Sequence, residues 1–418
     1  MKNKLPQGWV ECELGDVLYL QNGYAFNSKD YCDNGICIIR ISDIQNNKVN
    51  TKNTVKYNKM DIDKCYIIEN GDFLLAMSGA TTGKTGVYCE NNPAYLNQRV
   101  GNLKIYSQKV LCQKYRNYYI MYKRFAIEKK AYGGAQPNIS KQMIESLRLL
   151  LPPLNEQRRI VGKIEEEFGK IDEGVEKLRF ALEQIKQYRQ AVLKSAFDGK
   201  LYKTTEWEEK TLGQILTPRR ERITPNKHNG ELPFIGMDCI MPNSLKIHNS
   251  YKLKDTKSVA FVFYKNDVLY GRMRSYLNKV WQATFDGASS AEFIVFPENK
   301  QITSGFLKYL LHQQTFVKYA TRNASGDRPR VKFEADLAEY KIKLPKIDEQ
   351  NLIVEKIENA FSIVEDLNKI IRQNIDKAEQ LKQSILKKAF EGRLVPQDPN
   401  DEPASVLLEK IKAERKNK

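Results

Sequence analysis

The chain has 418 residues and a formal net charge of +17, with 41% hydrophobic and 28% charged residues. This composition is ordinary for a globular protein that is long enough for two or three domains. No stretch approaches the roughly 20 apolar residues that cross a bilayer, and residues 1–6 lack a signal-type apolar run, so we expect a cytoplasmic protein without membrane association.

The first predicted element is a basic folded domain over residues 1–150. Short β-branched and aromatic runs alternate with Asn, Gly and Asp turns, which predicts a mixed sheet with peripheral helices. Residues 1–154 carry 21 Lys and Arg against 13 Asp and Glu. The chain has seven cysteines but no C-x-x-C pair, which favours reduced, mostly buried thiols over disulfides or zinc.

A long helix is predicted over residues 151–201. Apolar residues recur at alternating steps of four and three from Ile164 to Ala196, and Arg189 interrupts this heptad pattern. Asn155 is the expected N-cap and Gly199 the expected C-cap. At ~1.5 Å per residue, such a helix is on the order of 60 Å long.

Residues 202–343 form a second basic domain that resembles the first. Trp207 and the pair Leu212-Gly213 match Trp9 and the pair Leu14-Gly15. Residues 202–347 carry 24 Lys and Arg against 15 Asp and Glu. We therefore predict two diverged copies of one domain fold.

Residues 344–395 repeat the first helix at an offset of 193 positions without a gap. The seam runs from Ile357 to Ala389 with Asn368 and Lys382 as polar members. Asp348 is the expected N-cap, and Gly392 ends the helix. Residues 396–418 form a tail with a short helix. The expected fold class is α+β: two similar mixed α/β domains separated by two long antiparallel, coiled-coil-like helices in a pseudo-twofold internal repeat. The alternative is that each seam packs on its own domain.

The positive charge is concentrated in the two domains. Residues 155–201 carry ten basic against nine acidic side chains, and residues 348–394 carry eight against nine. A merely solvated surface would spread the charge more evenly, so we expect a polyanionic partner, with nucleic acid as the leading candidate.

Several motifs occur in a duplicated order. Residues 151–158 read Leu-Pro-Pro-Leu-Asn-Glu-Gln-Arg and residues 344–350 read Leu-Pro-Lys-Ile-Asp-Glu-Gln. The two predicted helices end in Lys-Ser-Ala-Phe-Asp-Gly-Lys-Leu and Lys-Lys-Ala-Phe-Glu-Gly-Arg-Leu. Residues 394–404 form a Pro- and Asp-rich tail. In this order, and over nearly the whole chain, the sequence resembles the specificity subunit of type I restriction-modification systems.

The resemblance implies that residues 1–150 and 202–343 are target recognition domains. Each would read one half of an asymmetric, bipartite site in double-stranded DNA. The two helices would set the spacer between the halves and bind two methyltransferase subunits, through which restriction and translocase subunits join. The chain itself would then not be an enzyme, and it would need no cofactor.

Recognition domains vary greatly within that family, so candidate DNA contacts are inferred from side-chain chemistry. The loop from Ser78 to Thr85 nearly spells a P-loop, but Ser78 stands where the motif requires its first glycine. A loop rich in Gly, Thr and Lys suits phosphate or base-edge contact, with a solvated turn as the alternative. The candidates in the first domain are Thr81, Thr82, Lys84, Thr85, Arg99, Gln136 and Asn138.

In the second domain, Arg272 and Arg274 are the strongest candidates, because arginine takes guanine O6 and N7 together. Arg328 and Arg330 align with Gln136 and Asn138, whose amides suit adenine, so the two half-sites are expected to differ. Lys279, Arg219 and Arg220 are expected on the DNA backbone. The full set in this domain is Arg219, Arg220, Arg272, Arg274, Ser275, Tyr276, Asn278, Lys279, Arg328 and Arg330.

No catalytic or metal-binding residues are predicted. The three histidines are isolated, and Asn92-Pro93-Ala94-Tyr95 lacks the second proline of an amine-methylation motif. Two alternatives to DNA specificity stay open. One is a helical scaffold whose basic domains bind RNA or an acidic protein, and the other is a nucleotide-dependent enzyme that uses residues 78–85.

Overall fold

A computed structural model describes residues 5–45, 47–58, 62–79, 81–131, 137–202, 206–225 and 230–416. The chain divides into two compact units, one of residues 1–176 with 375–418 and one of residues 177–374. No helix within the described ranges is both long and apolar enough to span a membrane.

The first unit contains a six-stranded mixed sheet, a four-stranded mixed sheet and an antiparallel pair of strands. In chain order the elements are β1 (Val10–Glu13), β2 (Leu18–Asn22), β3 (Ile36–Ile39), β4 (Ile44–Gln45), β5 (Asn47–Val49), β6 (Lys56–Tyr57), β7 (Ile67–Ile68), β8 (Phe73–Ala76), β9 (Thr85–Val87), β10 (Ala94–Leu96), β11 (Val100–Ile105), α1 (Gln113–Ala131), α2 (Lys141–Glu145), β12 (Arg148–Leu151) and α3 (Leu154–Phe197), which continues into the second unit. The sheet orders are β2-β11-β8-β9-β5-β4, β6-β3-β10-β7 and β1-β12.

The second unit repeats this plan in a smaller form. Its elements are β13 (Glu208–Thr211), α4 (Leu212–Ile215), β14 (Arg222–Ile223), β15 (Pro233–Ile235), β16 (Tyr251–Lys252), β17 (Ala260–Phe263), β18 (Val268–Gly271), β19 (Val280–Gln282), β20 (Gly287–Ser289), β21 (Phe293–Phe296), α5 (Ser304–His312), α6 (Gln314–Asn323), β22 (Lys341–Leu344) and α7 (Ile347–Phe390), which ends in the first unit; α8 (Ala404–Lys416) follows there. The sheet orders are β14-β17-β20-β15-β16, β19-β18-β21 and β13-β22. The parallel pair β15–β20 corresponds to β3–β10 of the first unit, which confirms two versions of one mixed α/β fold.

The two long helices pack against each other in an antiparallel direction. In the first unit the Lys382 ammonium donates to the Asp172 carboxylate at 2.5 Å, and in the second unit Arg189 lies over the Phe361 ring. The contacting residue on α7 has a lower number where the contacting residue on α3 has a higher one. The predicted antiparallel pair of helices is therefore confirmed. The alternative, in which each seam packs only on its own domain, is therefore wrong.

The predicted glycine C-caps are confirmed, whereas both N-caps were placed wrongly. Gly199 and Gly392 adopt φ of 72° and 69°. The Lys200 N–H donates to the Ser195 carbonyl at 2.8 Å, which closes a Schellman turn. At the other end, α3 and α7 begin at Leu154 and Ile347, so Asn155 and Asp348 lie inside the first turn. The preceding carbonyls already accept helical bonds, as Pro153 does from Gln157 at 2.9 Å.

A Glu-Gln pair ties the first turn of each long helix to its domain. In the first unit, the Trp9 indole N–H donates to Glu156 at 3.0 Å, and the buried Gln157 accepts from the Cys112 N–H at 2.8 Å. The second unit repeats the first of these bonds between Trp207 and Glu349 at 3.1 Å. The duplicated Glu-Gln of the helix openings therefore has a structural role.

The cysteines are free but less buried than predicted. Cys12 and Cys239 are buried, whereas Cys65 and Cys89 are exposed. Burial raises the pKa of the Cys12 thiol to about 12, so this thiol is a core residue and not a nucleophile.

Candidate nucleic-acid interface

In the first unit, three loop segments meet just beyond the end of β8. The Met77 N–H donates to the Arg99 carbonyl at 2.9 Å, and the Ile139 N–H donates to the Met77 carbonyl at 2.8 Å. These bonds bring the candidates Arg99 and Asn138 to either side of the loop that follows β8.

That loop connects two antiparallel strands, β8 and β9. Thr82 is buried, and its hydroxyl donates to the Gly79 carbonyl at 2.6 Å. Thr85 is also buried, and within the described ranges its hydroxyl has no hydrogen-bond partner. The Thr82 hydroxyl therefore stabilises the turn, whereas Thr85 is a buried residue of β9. Because a strand and not a helix follows, the segment lacks the geometry of a nucleotide-binding P-loop.

Four candidates of the first unit have accessible side chains. Arg99 and Asn138 are exposed, and Thr81 and Lys84 are partly exposed. Gln136 lies outside the described residues. The first unit therefore presents two cations, an amide and a hydroxyl around one loop.

The second unit repeats the same backbone frame beyond the end of β18. The Arg272 N–H donates to the Glu292 carbonyl at 2.9 Å, and the Val331 N–H donates to the Arg272 carbonyl at 3.0 Å. Arg330 pairs with Met273 in an isolated antiparallel bridge. The equivalent positions are Met77 and Arg272, Arg99 and Glu292, and Asn138 and Arg330.

The loop after β18 presents cations and one aromatic ring. Arg274 and Tyr276 are exposed, and Arg272 is partly exposed. Arg274 has φ of 53°, a left-handed conformation that costs a non-glycine residue about 1–2 kcal/mol. Ser275 is buried, so this serine is not available to DNA in this fold.

The same loop ends in side chains that point inward. Lys279 is only 9% exposed, and its ammonium donates to the Met237 carbonyl at 2.6 Å. Burial lowers the pKa of Lys279. The buried Asn278 amide donates to the His312 carbonyl at 2.9 Å. As folded, Lys279 and Asn278 are thus held by internal hydrogen bonds, and the expected contact of Lys279 with phosphate stays a prediction.

A basic groove lies between the loop after β18 and the segment before β22. Its basic lining is Arg272, Arg328, Arg330 and Lys332, and its other polar and acidic lining residues are Ser325, Asp327 and Asp336. Arg328 is exposed. The Nε of Arg272 is buried and has no hydrogen-bond partner within the described part of the chain. An unmade bond of this kind costs about 1–3 kcal/mol.

Arg330 is held by a carboxylate. Its Nε and Nη2 donate to both oxygens of Glu292 at 2.7–3.1 Å. These hydrogen bonds, and the positive charges of Arg330, Arg272 and Arg328, lower the pKa of Glu292 against the effect of burial. Glu292 is therefore an anion at neutral pH, and its partner Arg330 lines the basic groove. We did not predict Glu292 as a site residue from the sequence, because a carboxylate beside DNA is unfavourable on charge alone. Its alignment with Arg99, a predicted contact of the first domain, could have indicated it.

The arginine cluster before β14 splits into two roles. Arg219 donates to both oxygens of Asp267 at 3.0 and 3.2 Å and lies over the Tyr264 ring at 4.6 Å. Arg220 is exposed and pairs with Glu334. Arg219 is thus engaged within the fold, and Arg220 is the member of the pair with an accessible side chain.

A family model described as "Type I restriction modification DNA specificity domain" matches residues 6–177 and 204–377. These two matches cover most of the chain. The chain belongs to this family. The two matched ranges each contain one of the equivalent loop frames, so the repeat that we see in the structure is the repeat that the family model describes.

Relatives in this specificity family span nearly the whole chain. The EcoBI specificity subunit of Escherichia coli is 26% identical over 462 aligned residues, which cover 98% of this chain and 93% of the relative. The EcoDI specificity subunit of Escherichia coli is 28% identical over 331 residues, covering 69% of this chain and 73% of the relative.

Solved structures share the fold of this specificity protein. A chain from a study of complex assembly and conformational transition of the type I R-M system is 19% identical, with a TM-score of 0.71 over 94% of this chain and 100% of that one. The HsdS subunit from Thermoanaerobacter tengcongensis is 18% identical, with a TM-score of 0.56 over 94% of this chain and 99% of that one. The architecture of two similar mixed α/β domains and two long helices is therefore that of the family.

Proposed function

We propose that the chain gives a type I restriction-modification complex its DNA sequence specificity and carries no catalytic residues of its own. Each recognition domain reads one half of an asymmetric, bipartite target. Methylation and cleavage are carried out by partner methyltransferase and restriction-translocase subunits. The observation that carries this proposal is the repeated loop frame, because one backbone arrangement presents different side chains in the two units.

The accessible side chains of the two frames suit different bases. In the first unit, Asn138 suits an adenine edge, and Arg99 and Lys84 suit guanine or phosphate. In the second unit the arginines suit guanine, with each bidentate pair contributing about 1–3 kcal/mol of discrimination. The proposed contacts are Thr81, Lys84, Arg99, Gln136 and Asn138 in the first domain, and Arg220, Arg272, Arg274, Tyr276, Arg328 and Arg330 in the second.

The long helices supply the second half of the function. We propose that their length sets the number of unread base pairs between the half-sites, and that their outward faces bind methyltransferase subunits. Ile363 is 61% exposed, and Leu367 and Ile370 are exposed on the same face of α7, at spacings of four and seven residues. Phe180 and Tyr188 are exposed on α3. Apolar side chains of this size on a solvated helix are typical of a partner surface.

The decisive experiment is to co-express the chain with its methyltransferase subunit and to map methylated adenines in the host DNA by long-read sequencing. The proposal expects a motif of two short blocks separated by a fixed unspecified spacer. Substitution of Arg272 would then alter one block, and substitution of Arg99 the other. A continuous motif, or a stable complex without new methylation, would contradict the proposal.

Duplex binding separates this function from a scaffold that binds RNA or an acidic protein. A specificity subunit prefers one duplex sequence, and its affinity falls steeply with salt because lysine and arginine release counterions from phosphates. Binding to RNA in preference to every duplex tested would favour the scaffold instead.

A further inference from the structure

We propose that Glu292 is a positioning residue for base recognition in the second domain: it holds Arg330 so that one edge of the guanidinium faces the DNA. This inference rests on the proposed function and deepens it. Glu292 itself does not contact a base, and it determines specificity through Arg330.

The geometry leaves Arg330 one free edge. Glu292 takes the Nε of Arg330 at 2.9 and 3.1 Å and the Nη2 at 2.7 Å. Guanidinium is planar and has five N–H donors, so the end formed by Nη1 and Nη2 still has donors to offer. Two parallel donors are what guanine O6 and N7 accept in the major groove.

Both partners of the ion pair are fixed through their backbones. The carbonyl of Glu292 accepts from Arg272, and its N–H donates to the Ser290 hydroxyl at 3.3 Å. Arg330 exchanges two backbone hydrogen bonds with Ser325, each of 3.2 Å. A long side chain that is already ordered before binding loses less conformational entropy on binding, which favours precise contact.

The charge of Glu292 changes what Arg330 contributes. The first unit has Arg99 at the position of Glu292 and Asn138 at that of Arg330, so in the described structure this ion pair belongs to the second unit. An arginine whose charge is balanced by a carboxylate adds little to the general attraction for phosphates. Its free N–H donors can still form hydrogen bonds in fixed directions. Glu292 therefore exchanges nonspecific affinity for sequence discrimination.

The test uses the full chain in complex with its methyltransferase, and it compares binding to the cognate duplex with binding to duplexes mismatched in either half. With Glu292→Gln we expect discrimination in the second half to fall at least tenfold and discrimination in the first half to stay the same. Nonspecific binding should tighten, and the salt slope should steepen by about 0.9, the value of one added phosphate contact. The control is Glu231→Gln, because Glu231 is also a carboxylate of the second unit that pairs with cations, Lys252 and Lys254, and it does not contact Arg330.

A double-mutant cycle tests whether Glu292 acts through Arg330. If it does, Glu292→Gln changes discrimination little once Arg330 is already Gln, because the effect requires the guanidinium. Equal effects in both backgrounds, or unchanged discrimination with a folded Glu292→Gln protein, would overturn the inference. If Glu292→Gln does not fold, Arg330→Gln alone must still lower second-half discrimination. A wild-type complex without any duplex preference would instead refute the proposed function itself.

Discussion

The guanidinium of Arg189 lies 4.3 Å from the centre of the Phe361 ring. Its counterpart in the repeat, Lys382, lies 5.3 Å from the centre of the Phe168 ring. Arg189 and Lys382 are 193 positions apart in the sequence, and so are Phe168 and Phe361. The cationic member of each heptad seam is therefore covered by an aromatic ring of the facing helix, so Arg189 and Lys382 are part of the helix packing.

We expect Phe361→Ala to destabilise the second unit by about 3–5 kcal/mol, because a buried aromatic side chain leaves a cavity when it is removed. Phe361 is buried and also meets Tyr309 edge-on at 5.7 Å. Phe168→Ala should cost less, since Phe168 is only partly buried. Urea unfolding measures both effects. Ile363→Ala on the exposed face of α7 is the control and should stay within about 0.5 kcal/mol of wild type. If Phe361→Ala and Ile363→Ala lowered the free energy of unfolding by similar amounts, the packing of Phe361 between the helices would be contradicted.

Gln157→Ala should destabilise the first unit by about 2–5 kcal/mol. Gln157 is fully buried, accepts from the Cys112 N–H, and donates to the carbonyls of Val110 and Pro152 at 2.8 and 3.0 Å. Truncation leaves those backbone groups unpaired, and each costs about 1–3 kcal/mol. The exposed Gln142 provides the control for the same substitution. Thermal unfolding of both variants is the measurement, and an equal Tm for the two would show that the buried bonds are not needed.

The long helices could be predicted from the sequence because a heptad pattern and glycine caps are local signals. The seam residues from Ile164 to Ala196 are all buried or partly buried, as expected. The sheets could be predicted only as a class. Parallel pairs such as β3–β10 join segments more than fifty residues apart, and no local signal fixes that pairing.

The site was predictable at the level of chemistry but not of exposure. Arg272 and Arg328 line a basic groove, and their contact with DNA stays a prediction. The burial of Lys279 could not be predicted, because nothing near it in sequence shows that the Met237 carbonyl lies 2.6 Å from its ammonium. Glu292 was not predicted because a carboxylate beside DNA is unfavourable on charge alone, and its partner Arg330 is 38 positions away in the sequence.

We expect Arg328→Ala to weaken duplex binding by roughly tenfold, as loss of one base or phosphate contact of about 1–3 kcal/mol would. Arg328 is exposed in the groove beyond the end of β18. Lys265→Ala is the matched control, because Lys265 is exposed but precedes the opposite end of the same strand. Binding should be measured across a range of salt concentrations. If Lys265→Ala weakened binding as much as Arg328→Ala, the positive charge of the domain as a whole would be responsible, and the groove would not be the DNA surface.

His312 should make the second unit sensitive to acid. Burial, together with the charge of Arg189, lowers the pKa of His312 to about 4, and within the described residues its Nδ1 has no hydrogen-bond partner. An unfolded histidine takes up a proton near pH 6.5, so between about pH 6.5 and 4 the unfolded state binds a proton that the folded state does not. Stability contributed by the neutral ring is therefore present above this window and is lost as the pH falls through it.

We expect wild type to lose roughly 2 kcal/mol more than His312→Leu between pH 7 and 5, since one pKa unit corresponds to about 1.4 kcal/mol. Urea unfolding at the two pH values measures this difference. Comparison of the two proteins cancels the contribution of carboxylates, because these groups titrate in both. His248→Gln is the control, because His248 is exposed and should leave the pH dependence unchanged. If wild type and His312→Leu lost the same stability on acidification, the pKa of His312 would be the same in the folded and unfolded states, as expected for a ring that water reaches through an opening in the core.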